Sequence, residues 1–204
     1  MAEHEDSYRD WESTYKQRTD WSWDESYRRG QWDYLHGIGE LPHYALAAGY
    51  VHKLAGGGDV LDAGCGEAVL SEYLDLERFG YTGIDLSETA VARARARLRR
   101  GTVAVSSIEA FAPPAGTRYC AIVFCESIQF TATPLESIDR YREFLTPDGF
   151  VVISLFKTPG ERGNGPRLAR FLAAECERGR YALLDRSEAA SISHGLAWEI
   201  VVLR

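Results

Sequence analysis

The residues best placed for chemistry lie in VLDAGCGEAVLSEYL, residues 60–74. An apolar run ends in Asp62, Ala63, Gly64, Cys65 and Gly66 form a glycine turn, and a helical pattern follows at once. Gly64 and Gly66 permit dihedrals and a closeness of approach that a side chain would obstruct, so a ligand can lie against main-chain N–H groups at a helix start. Asp62, at the strand's carboxyl end, can accept hydrogen bonds from a cationic amine. The dinucleotide form of such a loop carries a third glycine where this chain has Val69. Asp85 strengthens the reading: it closes the next apolar run, where an acidic side chain grips both hydroxyls of a ribose. Both acids have a plainer alternative, Asp62 as a helix cap and Asp85 as the N-terminal cap of a helix starting near Ser87.

These residues need a sheet to hold them. DVLDA, YTGID, TVAVS, YCAIVF and GFVVISLF read as strands, and EAVLSEYLDL, SETAVARARARLRR and PLESIDRYREFL as the helices between them. Such alternation implies right-handed crossovers and a mostly parallel sheet. A helix over 41–54, opened by Pro42 and stopped by Gly56–Gly58, precedes the first strand. A helix over 166–176 is followed by two extended segments, 181–184 and 198–203, which form an antiparallel hairpin at the sheet edge. The expected fold is therefore a Rossmann-like α/β domain of seven strands with helices on both faces, over residues 41–204. Residues 1–40 form a charged, aromatic-rich appendage. Within it W-[DE]-x-x-Y occurs twice, at Trp11, Glu12, Tyr15 and at Trp23, Asp24, Tyr27, each aromatic pair falling on one helical face.

Composition narrows the function classes. The 204 residues carry 23 basic and 30 acidic side chains, a net charge of −7, which repels polyanions such as nucleic acid. The arginines 93, 95, 97, 99 and 100 spread around a helix rather than forming a stripe, so that helix covers the sheet with Val91, Ala94 and Leu98. Neither a signal peptide nor a membrane span is expected, and the location expected is cytoplasmic. Cys65, Cys120, Cys125 and Cys176 form no CxxC pair, and a metal is not expected. Cys120 and Cys125, on one strand, should point to opposite faces. No segment specifies an oligomeric state.

On these residues the chain resembles the class I S-adenosylmethionine-dependent methyltransferases from about residue 40 onward. VLDAGCGEAVLSEYL looks like their first motif, YTGIDLSETAVARAR their second, YCAIVFCESIQF their fourth and LTPDGFVVISLF their fifth strand. The resemblance implies S-adenosyl-L-methionine as cofactor, with Asp62, Ala63, Gly64, Cys65 and Gly66 under its methionine and adenosine portions. It further implies that Asp85 holds the ribose, that Leu86, Ser107, Ile108 and Glu109 surround the adenine, and that Cys125 and Glu126 lie beside the methyl. Cys120 stands where many members begin that strand with Asp, far from the reacting end. Glu126 is the leading candidate for a general base or an orienting group, followed by His43 and Tyr44 on the helix that could reach over the site. Tyr15, Trp23, Tyr27, Trp32, Tyr34 and Phe130 would make an aromatic lid, or simply pack the appendage down. A small-molecule acceptor is expected. The same motifs also serve enzymes that cyclise the cofactor's aminobutyrate arm, and non-catalytic binding modules.

Overall fold

The computed structural model describes Trp11, residues 22–157 and residues 163–204. Five α-helices are described: α1 (Trp23–Arg28), α2 (Leu41–Leu54), α3 (Glu88–Arg97), α4 (Pro134–Arg142) and α5 (Asn164–Glu177). The seven strands are β1 (Gly58–Ala63), β2 (Phe79–Asp85), β3 (Thr102–Val105), β4 (Tyr119–Cys125), β5 (Leu145–Phe156), β6 (Leu183–Ser191) and β7 (Leu196–Leu203).

They form one sheet in the order β3-β2-β1-β4-β5-β7-β6. β1 to β5 pair parallel, and β7 runs antiparallel to both β5 and β6. The order reverses at β1, which lies between β2 and β4, and a crevice at such a switch point is where open α/β sheets bind ligands. The strands' period of two divides the core. Val60, Ala121, Val123 and Val152 pack on one face against Ala47, Val51, Val91 and Ala94 of α2 and α3. Leu61, Ile122, Phe124 and Ile153 pack on the other against Ile138 and Tyr141 of α4 and Leu168 and Phe171 of α5.

Three local expectations are corrected. The helix expected after the glycine turn is one 3-10 turn, Val69–Glu72. Gly64, Gly66 and Ala68 all have positive φ (80°, 54° and 61°), and a right-handed helix cannot propagate through that alternation. The hairpin strands are longer than expected: the polar stretch from Asp185 to Ser191, read as a link, is part of β6, because an edge strand with an exposed outer surface tolerates polar side chains. Cys120 and Cys125 join the same face of the core, because the register of β4 shifts between Tyr119 and Ala121.

Arginines of α3 and of the turn after it are held by their neighbours. Arg93 pairs with Glu67 and Asp33, Arg95 donates to the Val103 carbonyl, and Arg100 pairs with Glu77, while Val91 and Ala94 are fully buried. No described helix is long and apolar enough to cross a membrane.

Candidate active site

The glycine loop, Asp85 and Glu126 meet at the carboxyl ends of β1, β2 and β4. The N–H groups of Gly64 and Cys65 both donate to the Ile84 carbonyl, each at 2.8 Å, and Gly66 N–H donates to Asp85 Oδ2 at 2.8 Å. The N–H groups of Gly64, Cys65 and Gly66 are therefore satisfied within the chain, not free as expected from its sequence. A Cβ on Gly64 would overlap the Ser127 Cβ, and one on Gly66 would sit 2.5 Å from the Tyr27 hydroxyl. Ser127 Oγ donates to the Ala63 carbonyl at 2.6 Å, fixing β4's exit against the loop.

Asp85 also accepts from Ser87 N–H at 2.8 Å through Oδ1, so each oxygen has one donor and a second lone pair in reserve. Burial raises its pKa, and the Ser87 and Gly66 N–H groups oppose that rise. The helix-cap alternative goes to a neighbour, because the Ser87 side chain accepts from Ala90 N–H at the head of α3. Asp62 is buried inside the loop. Its Oδ2 accepts from the Tyr81 hydroxyl at 2.6 Å, its Oδ1 has no partner, and burial raises its pKa to about 7. A buried carboxylate oxygen without a donor fits a ligand ammonium, as the expected cofactor would supply.

Leu86 is 56% exposed beside Asp85, an apolar platform at the crevice edge. Ile108 is buried against Gly64, its carbonyl accepting from Tyr141 and Arg140, whereas Ser107 is partly exposed and Glu109 exposed. The Ser106–Asp85 backbone hydrogen bond of 2.9 Å brings that segment alongside β2.

Glu126 leaves β4 with φ 55°, a left-handed conformation unfavourable for a residue with a Cβ. Its Oε2 accepts from Gln129 Nε2 at 3.0 Å, and its Oε1 is buried without a partner. Burial raises its pKa well above the carboxylate range, and the charge of Glu40 adds to the rise; the Phe156 N–H, Gln129 and Ser154 oppose it. His43 does not reach over the site. It is fully buried, stacked on Trp198 at 4.6 Å, with Nδ1 3.2 Å from Ser154 Oγ and Nε2 3.2 Å from Glu40 Oε2. Its burial lowers its pKa against the pull of Glu40, which keeps it neutral. Tyr44 is buried and stacked parallel on Tyr73, and Cys125 is buried beneath the site.

Five of the six expected lid residues converge. Trp23 stacks on Trp32 at 5.7 Å and meets Phe130 edge-on at 5.0 Å, while Tyr27 and Tyr34 lie 6.1 and 5.9 Å from Trp32. Tyr15 lies outside the described residues. Asp24 fastens α1 to the head of α3, its Oδ1 accepting from Ser87 Oγ at 2.9 Å and Thr89 N–H at 2.8 Å.

Four residues escaped the sequence reading. Glu67, in the loop, takes His36 Nε2 at 2.9 Å and Arg93 Nη1 at 2.9 Å. Burial opposes its charge, but those partners outweigh it and hold the carboxyl below its usual range. Glu40, Gln129 and Ser154 surround Glu126. Ser154 left a trace, as the polar residue in the apolar run VVISLF. Among the described residues no cluster of His, Cys, Asp or Glu could hold a metal.

A sheet that reverses at β1, a glycine loop leaving that strand and an acid closing β2 define the class of S-adenosylmethionine-dependent methyltransferase folds. The chain belongs to the methyltransferase domain family, whose signature matches residues 25–195. It is 32% identical over 115 residues to a ubiquinone biosynthesis O-methyltransferase of Nitrosospira multiformis, a match covering 53% of this chain and 48% of the relative. The chain thus aligns with about half the length of that curated relative. Its fold is similar to that of the plantazolicin methyltransferase BpumL in complex with S-adenosylhomocysteine, with TM-score 0.74 and 14% identity over 98% of each chain. The N-methyltransferase NodS of Bradyrhizobium japonicum superposes with TM-score 0.65 and 16% identity over 85% of this chain and 90% of that one.

Proposed function

We infer that this protein binds S-adenosylmethionine and transfers its methyl group in line to a small-molecule acceptor of natural-product, sugar or amine type. The observation that carries the reading is the meeting, at one end of the sheet, of the glycine loop, the Asp85 carboxylate bonded to it and the orphaned Asp62 oxygen. Asp85 would hold the ribose and Asp62 the methionyl ammonium, with Ala63 to Gly66 beneath them. Leu86 and the segment Ser107, Ile108 and Glu109 would flank the base. The cofactor contributes a methyl already activated by the sulfonium, so the chain's task is to align the acceptor and exclude water.

Glu126, beside Cys125 at the end of β4, would take the acceptor's proton or orient its nucleophilic atom. Tyr44, under the site, would pack, and His43 would position Ser154 and Glu40 rather than touch the acceptor. Residues 1–40, with their aromatic cluster, would cover the bound molecules over the catalytic domain of residues 41–204. The relatives support a metabolite acceptor: one is named for ubiquinone biosynthesis, another for plantazolicin. The net charge of −7 weighs against nucleic acid.

Calorimetric titration with S-adenosylhomocysteine tests the reading. Asp85→Ala, and its isostere Asp85→Asn, should each weaken binding by about tenfold or more, the worth of lost charge-assisted hydrogen bonds. Unchanged affinity in both would overturn the assignment. Turnover should release S-adenosylhomocysteine; methylthioadenosine instead would identify cyclisation of the cofactor.

A further inference from the structure

Glu126 accepts a hydrogen bond from Gln129 on Oε2 and has no close donor on Oε1. Glu126 Oε1 and Gln129 Oε1 are both buried without a donor, and Gln129 is only 2% exposed. Leaving such an oxygen bare is costly, so two of them on side chains already in contact suit N–H groups from outside the chain. The backbone is committed to this arrangement. Glu126 keeps its left-handed φ of 55° while its own N–H is tied to the Ser154 carbonyl at 3.1 Å.

A second acid stands behind the first. Glu40, 6% exposed at the head of α2, lies 3.2 Å from His43 Nε2, and His43 in turn reaches Ser154 Oγ. Among the described residues the groups contacting the two acids are neutral: an amide, a hydroxyl, backbone N–H and an imidazole whose burial disfavours its charge. The outer wall is Tyr34, 53% exposed and tilted at 42° to Trp32, and its hydroxyl feels both carboxylates. Paired acids, bare acceptors and π-faces together select a compact cation that donates hydrogen bonds.

We propose that the methyl acceptor is a basic amine, received as its cation by the Glu126 and Gln129 oxygens, with Glu40 behind them and the Trp32–Tyr34 rings beside them. The proposal rests on the methyltransferase reading and narrows its acceptor. An N–H proton of the ammonium passes to the Glu126 carboxylate, leaving a neutral amine. The freed lone pair forms the new N–C bond as the C–S bond breaks, and the electrons of that bond remain on sulfur. The product leaves as the methylated ammonium.

The test uses the full chain saturated with S-adenosylhomocysteine, titrated calorimetrically with 2-phenylethylamine and with its neutral isostere 2-phenylethanol. The amine should bind at least about tenfold more tightly than the alcohol, a modest share of what a desolvated charge pair commonly supplies. That preference should vanish in Glu126→Gln and shrink in Glu40→Gln, while S-adenosylhomocysteine affinity stays within about twofold. Equal binding of the two probes, a preference for the alcohol, no amine binding to the cofactor-loaded protein, or a preference surviving in Glu126→Gln would each overturn the proposal. So would loss of S-adenosylhomocysteine binding in Glu126→Gln, which would give these oxygens to the cofactor. A native chain that binds no S-adenosylhomocysteine would overturn the methyltransferase reading first, and this one with it.

Discussion

Asp62 concentrates the tension between stability and function in one side chain. Burial lifts its pKa to about 7 against the hydrogen bond from Tyr81. The folded state therefore holds a proton that the unfolded chain has already lost, and folding weakens as pH rises from about 4 toward 7, with the full penalty present above that window. Asp62→Asn should accordingly raise the melting temperature at pH 8, by roughly 1–2 kcal/mol of stability, and change it little at pH 4. The same variant should bind S-adenosylhomocysteine less tightly, because an amide oxygen pairs more weakly with an ammonium. Calorimetry of the native protein near pH 6, repeated in buffers of different ionisation enthalpy, should show proton release on binding. Asp62, Asp85 and Glu126 were legible in the sequence because each follows an apolar run at the end where such sheets bind. Glu67 was not, because only tertiary contact gives it meaning, His36 lying 31 residues away; Gln129 and Glu40 contact Glu126 and His43 three residues along the chain, and what the sequence hid was their burial.

Among the elements, the extents of β1 and β4 were legible, since apolar runs of strand length leave little choice, but the irregularity in β4 that puts Cys120 and Cys125 on one face was not. The turn after Gly66 was not, because an amphipathic pattern cannot reveal that Ala68 is left-handed. The two loop glycines differ in kind. Gly66→Ala adds a methyl to a left-handed residue at a cost of roughly 1 kcal/mol and pushes on the tip of one tyrosine. Gly64→Val collides with the Ser127 Cβ, so its loss of cofactor binding should come with a lower melting temperature, and must be judged beside circular dichroism. The joint between α1 and α3 hangs on Asp24, whose carboxyl is held well below its usual range, chiefly by the Thr89 N–H and then by Ser87. A depressed pKa means that this tie is intact above the carboxylate's ordinary pKa and loosens only as pH falls below it. Asp24→Ala should speed amide exchange over residues 22–30 by about tenfold or more while leaving the sheet protected, as mass spectrometry of exchanged peptides would read.

At the scale of the molecule, the aromatic segment before α2 is tied into the core. Trp11 is 2% exposed, donates from Nε1 to the Thr131 carbonyl at 3.0 Å and lies edge-on to Phe171. Removing residues 1–30 should therefore lower the melting temperature by about 5–10 °C as well as slow turnover, given the cost of losing a buried tryptophan. An unchanged melting curve would make the segment a dispensable tether. The aromatic clustering was legible only in outline, since spacing on a helix shows which rings share a side but not what that side meets. Tyr27 shows what is at stake: its hydroxyl hangs over Gly66, in the space a ligand against the loop would claim. For a ligand to lie against the loop the ring must swing aside, while Asp24, three residues earlier, holds the short helix in place. Occupancy of the loop should then wait on a unimolecular step, and the observed association rate should level off at high ligand concentration instead of climbing in proportion to it.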